Sequence, residues 1–213
     1  MKNLTFLAKE IWKGKSVTRS FLNLRLTQES LSGKTIDVGG GKNPDYISFM
    51  KRKDVVEFVN FDIKAGAHIN FETDTLPGVD GEYDTVLFLN VMEHIYNYQH
   101  IANEVVRIVK PGGQLIGFVP FLMWYHPDHS DFFRYTDEAL LKIINKTGAD
   151  SVVIESVSKG PFVAAVQMFI IWFPRFLRVP LFMSFYFLDY VFIKIRPEHA
   201  QRYALGYFFK IVK

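Results

Sequence analysis

The sequence contains no cysteine. That excludes disulfides, thiolate metal sites and cysteine nucleophiles, and it fits a reducing compartment. It contains no GxxxxGK[ST] run, so a nucleoside triphosphate P-loop has no support. The stretch from Met1 to Lys15 lacks both a long apolar run and a small-residue cleavage pattern, so no secretory signal is expected. Internal repeats and low-complexity linkers are absent too. Charge is nearly balanced: 25 Lys and Arg against 22 Asp and Glu leave a net +3. No basic stripe runs along the body, which argues against nucleic acid as a partner.

What remains is ample apolar material. The chain has 213 residues, 49% hydrophobic and 22% charged, which suits one sizeable folded domain. Short β-branched or apolar runs at 35–38, 56–61, 85–89, 114–119 and 151–155 read as strands. Residues 101–109 and 137–146 read as helices, the second with Leu140, Leu141, Ile143 and Ile144 at helical spacing. Thr136 is placed to cap that helix, and Asp137 and Glu138 suit the positive end of its dipole. Lys110-Pro-Gly-Gly113 is expected to end the preceding helix and turn the chain into the next strand. Strand–helix alternation predicts an α/β fold with a mostly parallel sheet. Ligands of such sheets bind beyond the carboxyl ends of the strands, so the residues after each strand are the place to look for chemistry.

After the first such strand comes Asp37-Val-Gly-Gly-Gly-Lys-Asn-Pro44. Glycines there permit a tight turn and close approach of a ligand to backbone amides. Asn43 reads as a helix cap and Pro44 as the first turn that follows. Gly39 and Gly41 fit the first two positions of GxGxxG, but Pro44 occupies the third. That counts against NAD or FAD, whose pyrophosphate fingerprint uses the third glycine for helix–strand packing. Asp62 closes the second strand, where an acidic side chain can accept hydrogen bonds from both ribose hydroxyls.

These pieces follow one another in an ordered series: Asp37 to Gly41, then Asp62, Leu76-Pro77, Tyr83-Asp84-Thr-Val86, Val91-Met-Glu-His-Ile95 and Lys110-Pro-Gly-Gly113. The series resembles class I S-adenosylmethionine-dependent methyltransferases of the type 11 kind over roughly residues 34–150. The resemblance implies a Rossmann-like α/β fold: a seven-stranded, mostly parallel sheet with helices on both faces and an antiparallel last strand. It implies S-adenosyl-L-methionine as cofactor. Gly39, Gly40 and Gly41 would line its methionine part, Asp37 would help hold its amino group, and Asp62 would bind the ribose. Asn70, Glu72 or Asp74 would approach the adenine, and Asn90 would lie beside the sulfonium. Glu93 and His94 follow Asn90 with a structural or a catalytic role. Gly40 stands where many members have Cys or Ser.

Residues 120–136, PFLMWYHPDHSDFFRYT, resemble an HPxDYFRFT segment of methyltransferases associated with bacterial cell-surface glycan and lipid modification. Methyl transfer is an in-line displacement, and a base near neutral pKa helps when the acceptor is a hydroxyl. His126 and His129 are the candidate catalytic bases. Tyr125, Asp128, Asp131 and Arg134 are candidate acceptor-binding residues, with Arg134 suited to an acidic group. Asp131 and Arg134 could instead pair and hold the loop. His126, Asp128, His129 and Asp131 also have metal-ligand types, but polar residues in a polar loop are ordinarily solvated, and no metal is assigned.

The stretch from Pro161 to Lys213 is the compositional anomaly. It carries seven Lys and Arg against Asp189 and Glu198, and ten of the 21 Phe. Its two apolar runs, 161–174 and 181–195, are each shorter than the ~20 residues that span a bilayer, and Gln167 and Asp189 disfavour spanning. Two readings compete: helices lying in a membrane interface with basic groups toward anionic headgroups, or a hydrophobic cap or homodimer face. The expected organisation is an N-terminal helical cover (1–33, with Ile11, Trp12, Phe21 and Leu22), a cofactor-binding core (34–156), a hydrophobic helical insertion (157–205) and a closing strand (206–213). The expected function is methyl transfer to a small molecule, at oxygen, on a glycan or lipid-linked intermediate, in the cytoplasm or peripheral on the inner face of the membrane. The alternative is an inactive module that binds the cofactor or its product, or a protein.

Overall fold

Alternating apolar and β-branched runs build the strands, and stretches with apolar residues every three to four positions build the helices that cover them. The computed structural model of the protein describes residues 2–41, 44–52, 69–127 and 130–213, and of 57–61 the backbone. In chain order come α1 (Lys2–Trp12), α2 (Val17–Leu26), β1 (Ser30–Leu31), β2 (Lys34–Val38), a 3-10 turn (Asp45–Phe49), β3 (Lys51–Arg52) and β4 (Glu57–Phe61). There follow β5 (Tyr83–Leu89), α3 (Tyr98–Arg107), β6 (Val109–Pro120), α4 (Asp137–Asn145) and β7 (Ser151–Val157). Last come α5 (Pro161–Gln167), α6 (Arg175–Ile195), α7 (His199–Arg202) and β8 (Gly206–Val212).

Among the described residues the main sheet has six strands in the order β4-β2-β5-β6-β8-β7. The expectation of a seven-stranded, mostly parallel sheet is corrected: the sheet is mixed. β4, β2, β5 and β6 pair in parallel, whereas β8 runs antiparallel to both β6 and β7. The last strand lies between β6 and β7, which never touch each other, so two of the five pairings are antiparallel. β1 and β3 form a separate two-stranded ladder.

Both faces of the sheet are covered, so its inner strands are apolar on both sides rather than alternating. Val86 and Phe88 of β5 face α3 and α4, packing with Ile101, Val105, Leu140 and Ile144. Leu87 and Leu89 face the other way, toward Leu7, Ile11, Leu22, Leu26 and Phe182. The N-terminal helices are therefore core elements. Ile11, Phe21 and Leu22 are buried, but Trp12 is 56% exposed and belongs to the surface.

Several local expectations shift. α3 ends at Arg107, three residues before the Lys110-Pro-Gly-Gly113 run, which lies inside β6. There it slips the register against β5 between Tyr83 and Thr85, so it acts as a bulge and not as a helix stop. Pro44 precedes a 3-10 turn instead of opening an α-helix, and Asn43 lies outside the described residues. Thr136 caps α4 as expected, its hydroxyl accepting from the Ala139 amide at 3.2 Å.

The two apolar runs after β7 change most. The first run holds α5 and a 3-10 turn (Ile170–Trp172), while the second is lengthened back to Arg175, so that α6 is one helix of 21 residues that continues through Pro180. By length and composition it is able to cross a membrane. Pro180 is the sixth residue of the helix, past the first turn, so it cannot donate to the Phe176 carbonyl one turn earlier. The two polar residues that argued against spanning are tertiary anchors. The buried Asp189 carboxylate accepts from the amides of Phe162 (3.0 Å) and Val163 (2.7 Å), capping α5 from another helix. Buried Gln167 accepts from the Thr18 amide at 3.2 Å and donates to the Met123 sulfur at 3.1 Å.

Candidate active site

Strand order reverses at β2, which has β4 on one side and β5 on the other. The carboxyl ends of β2 and β5 thus flank the topological switch point, where α/β sheets bind ligands. Gly39–Gly41 leaves the first and Asn90 the second. Gly39 has φ +85°, and a Cβ there would stand 2.6 Å from Val91. At Gly40 a Cβ would fall 1.9 Å from Asp37 and 2.3 Å from the Tyr46 hydroxyl. These positions require glycine, and the departure from Cys or Ser at Gly40 has a steric cause. Asn90 takes φ +55°, tolerated by Asn more than by most residues, and its amide is tied to the Phe118 carbonyl at 2.9 Å.

Asp37 is fully buried. One carboxylate oxygen accepts from the Tyr46 hydroxyl at 2.7 Å, and the other has no partner among the described residues. Burial pushes its pKa up to about 6, against the pull of the Tyr46 hydrogen bond and the Arg19 charge. An acceptor left open in the interior costs free energy unless a ligand donor meets it. Arg19 on α2 stacks over the Tyr46 ring at 5.0 Å and lines a cavity of about 280 Å³ together with Ser16, Thr18 and Asn90. Sequence reading missed Arg19, because the N-terminal stretch carries no motif and α2 reaches this spot only through the tertiary fold. The amino-group acceptor, the glycine turn without room for side chains and the cation at the cavity wall fit S-adenosylmethionine.

The adenine candidates are gathered in one loop. Asn70 accepts from the Glu72 amide at 2.9 Å, and Asp74 accepts from the Asn70 amide at 2.9 Å. Glu72 spends both oxygens on the amides of Tyr96 (2.7 Å) and Asn97 (2.6 Å), just before α3. The structure thus gives each of the three a partner in the chain. Asp62 lies outside the described residues.

On the acceptor side, His126 lines the same cavity as Asn90, and so does His94. Asp131 is buried and receives a two-pronged contact from Arg134, at 2.5 and 2.7 Å, plus the His126 amide at 2.9 Å. Burial alone would raise its pKa, but these donors outweigh it and hold Asp131 down at about 2. Arg134 also reaches the carbonyls of Phe133 (2.8 Å) and Trp124 (3.1 Å). The pair therefore holds the loop, the second of the two roles read from sequence. Tyr125 is 71% exposed, and Asp128 and His129 lie outside the described residues.

Glu93 is the residue whose part the sequence left open. It is fully buried, neither carboxylate oxygen has a hydrogen-bond partner, and burial pushes its pKa up to about 8. Its Oε1 lies 3.7 Å from Nε2 of His94 and 3.9 Å from Nε2 of His126, beyond hydrogen-bond reach. The two imidazoles meet edge to face, with centroids 5.2 Å apart. Their convergence was hidden because His94 and His126 belong to different loops. The Glu93 carbonyl joins these loops by accepting from Phe132 at 2.8 Å.

Residues 13–151 match the model of a methyltransferase domain family. An uncharacterized methyltransferase from Mycobacterium sp. (strain JLS) is 28% identical over 47% of this chain and 44% of its own length. The chain thus spans less than half the length of the curated relatives it matches. A SAM-dependent methyltransferase from Archaeoglobus fulgidus shares the fold with TM-score 0.54 and 15% identity, over 98% of this chain and 99% of that one. So does Haemonchus contortus phosphoethanolamine N-methyltransferase 2, solved with phosphomonomethylethanolamine and S-adenosylhomocysteine (TM-score 0.51, 13% identity, 99% and 57% coverage). With its glycine turn, its switch-point cavity and its matched residues, the chain belongs to the S-adenosylmethionine-dependent methyltransferase family.

Proposed function

We propose that the chain transfers a methyl group from S-adenosylmethionine to a hydroxyl oxygen of a glycan or lipid-linked acceptor at the inner surface of a membrane. The observation that carries this reading is the shared cavity. Asn90, beside the glycine turn, and the imidazoles of His94 and His126 line one space. When bound, the cofactor supplies an electrophilic methyl on a sulfonium. Asp37 would hold its amino group, Asp62 its ribose and Arg19 its carboxylate. Leu22, Phe118, Pro120 and Met123 give the cavity apolar walls that exclude water. The acceptor hydroxyl is activated for loss of its proton beside the Glu93, His94 and His126 group, and the Asp131–Arg134 pair keeps that loop in place.

The membrane part of the reading is supported by α6. One side packs on α1 and α5, while Trp172 before it (79% exposed) and Phe176 (63%), Phe187 (63%) and Ile195 (70%) on it face outward. Arg175, Arg178, Lys194 and Arg196 stand at its ends. Apolar surface rimmed by cations complements an anionic bilayer. Asp189 fixes the buried side to α5, which favours a helix lying flat over one that crosses.

Calorimetric titration with S-adenosylhomocysteine tests the cofactor half, with NADH as a control. Wild type is expected to bind at micromolar concentration, with Asp62→Ala at least tenfold weaker and NADH silent. Well-folded protein that binds no S-adenosylhomocysteine would leave only an interaction module. Once an acceptor is in hand, His126→Ala and His129→Ala should spare cofactor binding and slow turnover. Wild-type rates in both would move the proton-accepting group elsewhere.

A further inference from the structure

We propose that Glu93, His94 and His126 form a binding site for a first-row divalent cation of the zinc or cobalt class. The inference rests on reading this cavity as the acceptor site, and it names how the three side chains act there.

The argument starts from which nitrogens carry protons. His94 Nδ1 lies 2.5 Å from the Ser130 carbonyl, an acceptor, so Nδ1 is the protonated nitrogen and Nε2 keeps a lone pair. His126 Nδ1 faces the Trp124 carbonyl at 3.1 Å and Asp131 Oδ2 at 3.4 Å. Arg134 Nη2 also lies 3.3 Å from this nitrogen, but its two hydrogens are taken by the shorter contacts to Asp131 Oδ2 at 2.7 Å and Trp124 O at 3.1 Å. His126 Nδ1 is then a donor as well, and its Nε2 also keeps a lone pair. The remaining member, Glu93, is an acceptor only when ionised.

With Glu93 ionised, as a bound cation would hold it, three acceptors converge without a donor among them. Their ligand atoms all lie within 4.8 Å of one another. Atoms bound about 2.0–2.2 Å from a metal lie roughly 3–3.5 Å apart, so the two Oε1 distances of 3.7 and 3.9 Å have to close by a few tenths of an ångström and the widest pair by about 1.3 Å at most. Buried carboxylates without partners are costly and occur paired or on metals. Each imidazole already has the outer oxygen that a metal-bound histidine uses to fix its tautomer: the Ser130 carbonyl for His94, and Trp124 with Asp131 for His126. Two nitrogens and one oxygen suit zinc, cobalt or iron better than magnesium or calcium. Asp131 offsets Arg134, so the Glu93 carboxylate faces the cation and one positive charge is left for an acceptor alkoxide to neutralise.

Three protein ligands leave a position open toward the cavity. An acceptor hydroxyl placed there is held and made more acidic. Its proton leaves to water, its oxygen bonds to the methyl carbon, and the carbon–sulfur bond breaks with the electron pair going to sulfur. His94 and His126 then serve as ligands and not as free bases.

The test is Co²⁺ titration of the full chain, followed by ligand-field absorption, on wild type and Glu93→Gln, with S-adenosylhomocysteine calorimetry in parallel. One equivalent of Co²⁺ per wild-type chain is expected, displaced by Zn²⁺ and weakened at least tenfold in Glu93→Gln, whose cofactor binding stays within twofold. Wild type that binds S-adenosylhomocysteine but shows no ligand-field band overturns the cation site and leaves the methyltransferase reading intact, with a proton between the three groups. Equal Co²⁺ binding by wild type and Glu93→Gln also overturns it. Should Glu93→Gln fail to fold, the wild-type titration alone decides. Loss of S-adenosylhomocysteine binding in wild type would instead sink the functional reading.

Discussion

α4 and α6 are both rich in apolar residues, yet they spend them differently. α4 buries Leu140, Ile143 and Ile144 against the sheet and turns Asp137, Glu138 and Lys142 outward. α6 buries Phe182 and Asp189, while Phe176, Phe187 and Tyr190 face out. The first helix is stabilised by partners inside the chain. The second leaves Phe176, Phe187 and Ile195 exposed, apolar surface for which we propose a partner outside the chain. Asp37 and Glu93 carry the same lesson in polar form, since each keeps an oxygen that nothing among the described residues satisfies.

The contrast can be broken most directly by substitution. Leu140→Ala should cost about 2–5 kcal/mol in chemical denaturation. Phe176→Ser with Phe187→Ser should change stability by about 0.5 kcal/mol or less per site and yet reduce flotation with phosphatidylglycerol vesicles at least tenfold. If the α6 pair destabilises as much as Leu140→Ala, α6 is an ordinary core helix. If vesicle binding is unchanged, the membrane is not its partner.

Asp37 gives the next largest effect. Its carboxyl titrates near 6 in the folded chain and near 3.8 when free. Between those values the folded state holds the proton more tightly, so stability falls as pH rises from about 4 to 6 and stays lower above. Asp37→Asn removes that loss. The ligand-free variant should be more stable than wild type at pH 8 by about 2–3 kcal/mol or less, with no gain below pH 4, and should bind S-adenosylhomocysteine more weakly. Melting curves across pH check this, and a gain that does not depend on pH would refute it.

Asp189→Ala should cost about 1–3 kcal/mol, since two amides of α5 lose their acceptor. That loss, read by denaturation, would separate the anchored side of α6 from its free side. The smallest effect expected is at the start of α4. Thr136→Ala should cost about 1 kcal/mol by removing the cap on the Ala139 amide. An equal loss from any outward aromatic of α6 would erase the difference between the two helices.

Local signals were legible in the sequence. The glycine turn after β2, the cap at Thr136 and the positions of most strands follow from short-range rules about φ, capping and periodicity. The antiparallel β8 followed from the family resemblance. What stayed hidden depends on distance along the chain. Arg19 meets Tyr46 across 27 positions, and Asp189 caps a helix that begins 28 residues earlier, neither with a motif to announce it. The second apolar run reads as starting at 181, whereas the helix starts at Arg175 and runs on through Pro180. Glu93 and His94 were visible as residues, but their role could be read only once His126 was seen beside them.

The placement of β8 has a consequence for how the chain is made. β6 and β7 are joined only through a strand that follows the whole insertion. At about 5–20 residues per second, a ribosome needs several seconds to pass from the end of β7 to β8. Throughout that interval the edge of β6 is unpaired, and the apolar α6 emerges before the sheet is closed. The nascent chain thus exposes an open sheet edge and a sticky helix together, the combination that calls for a chaperone or an early landing on a lipid surface.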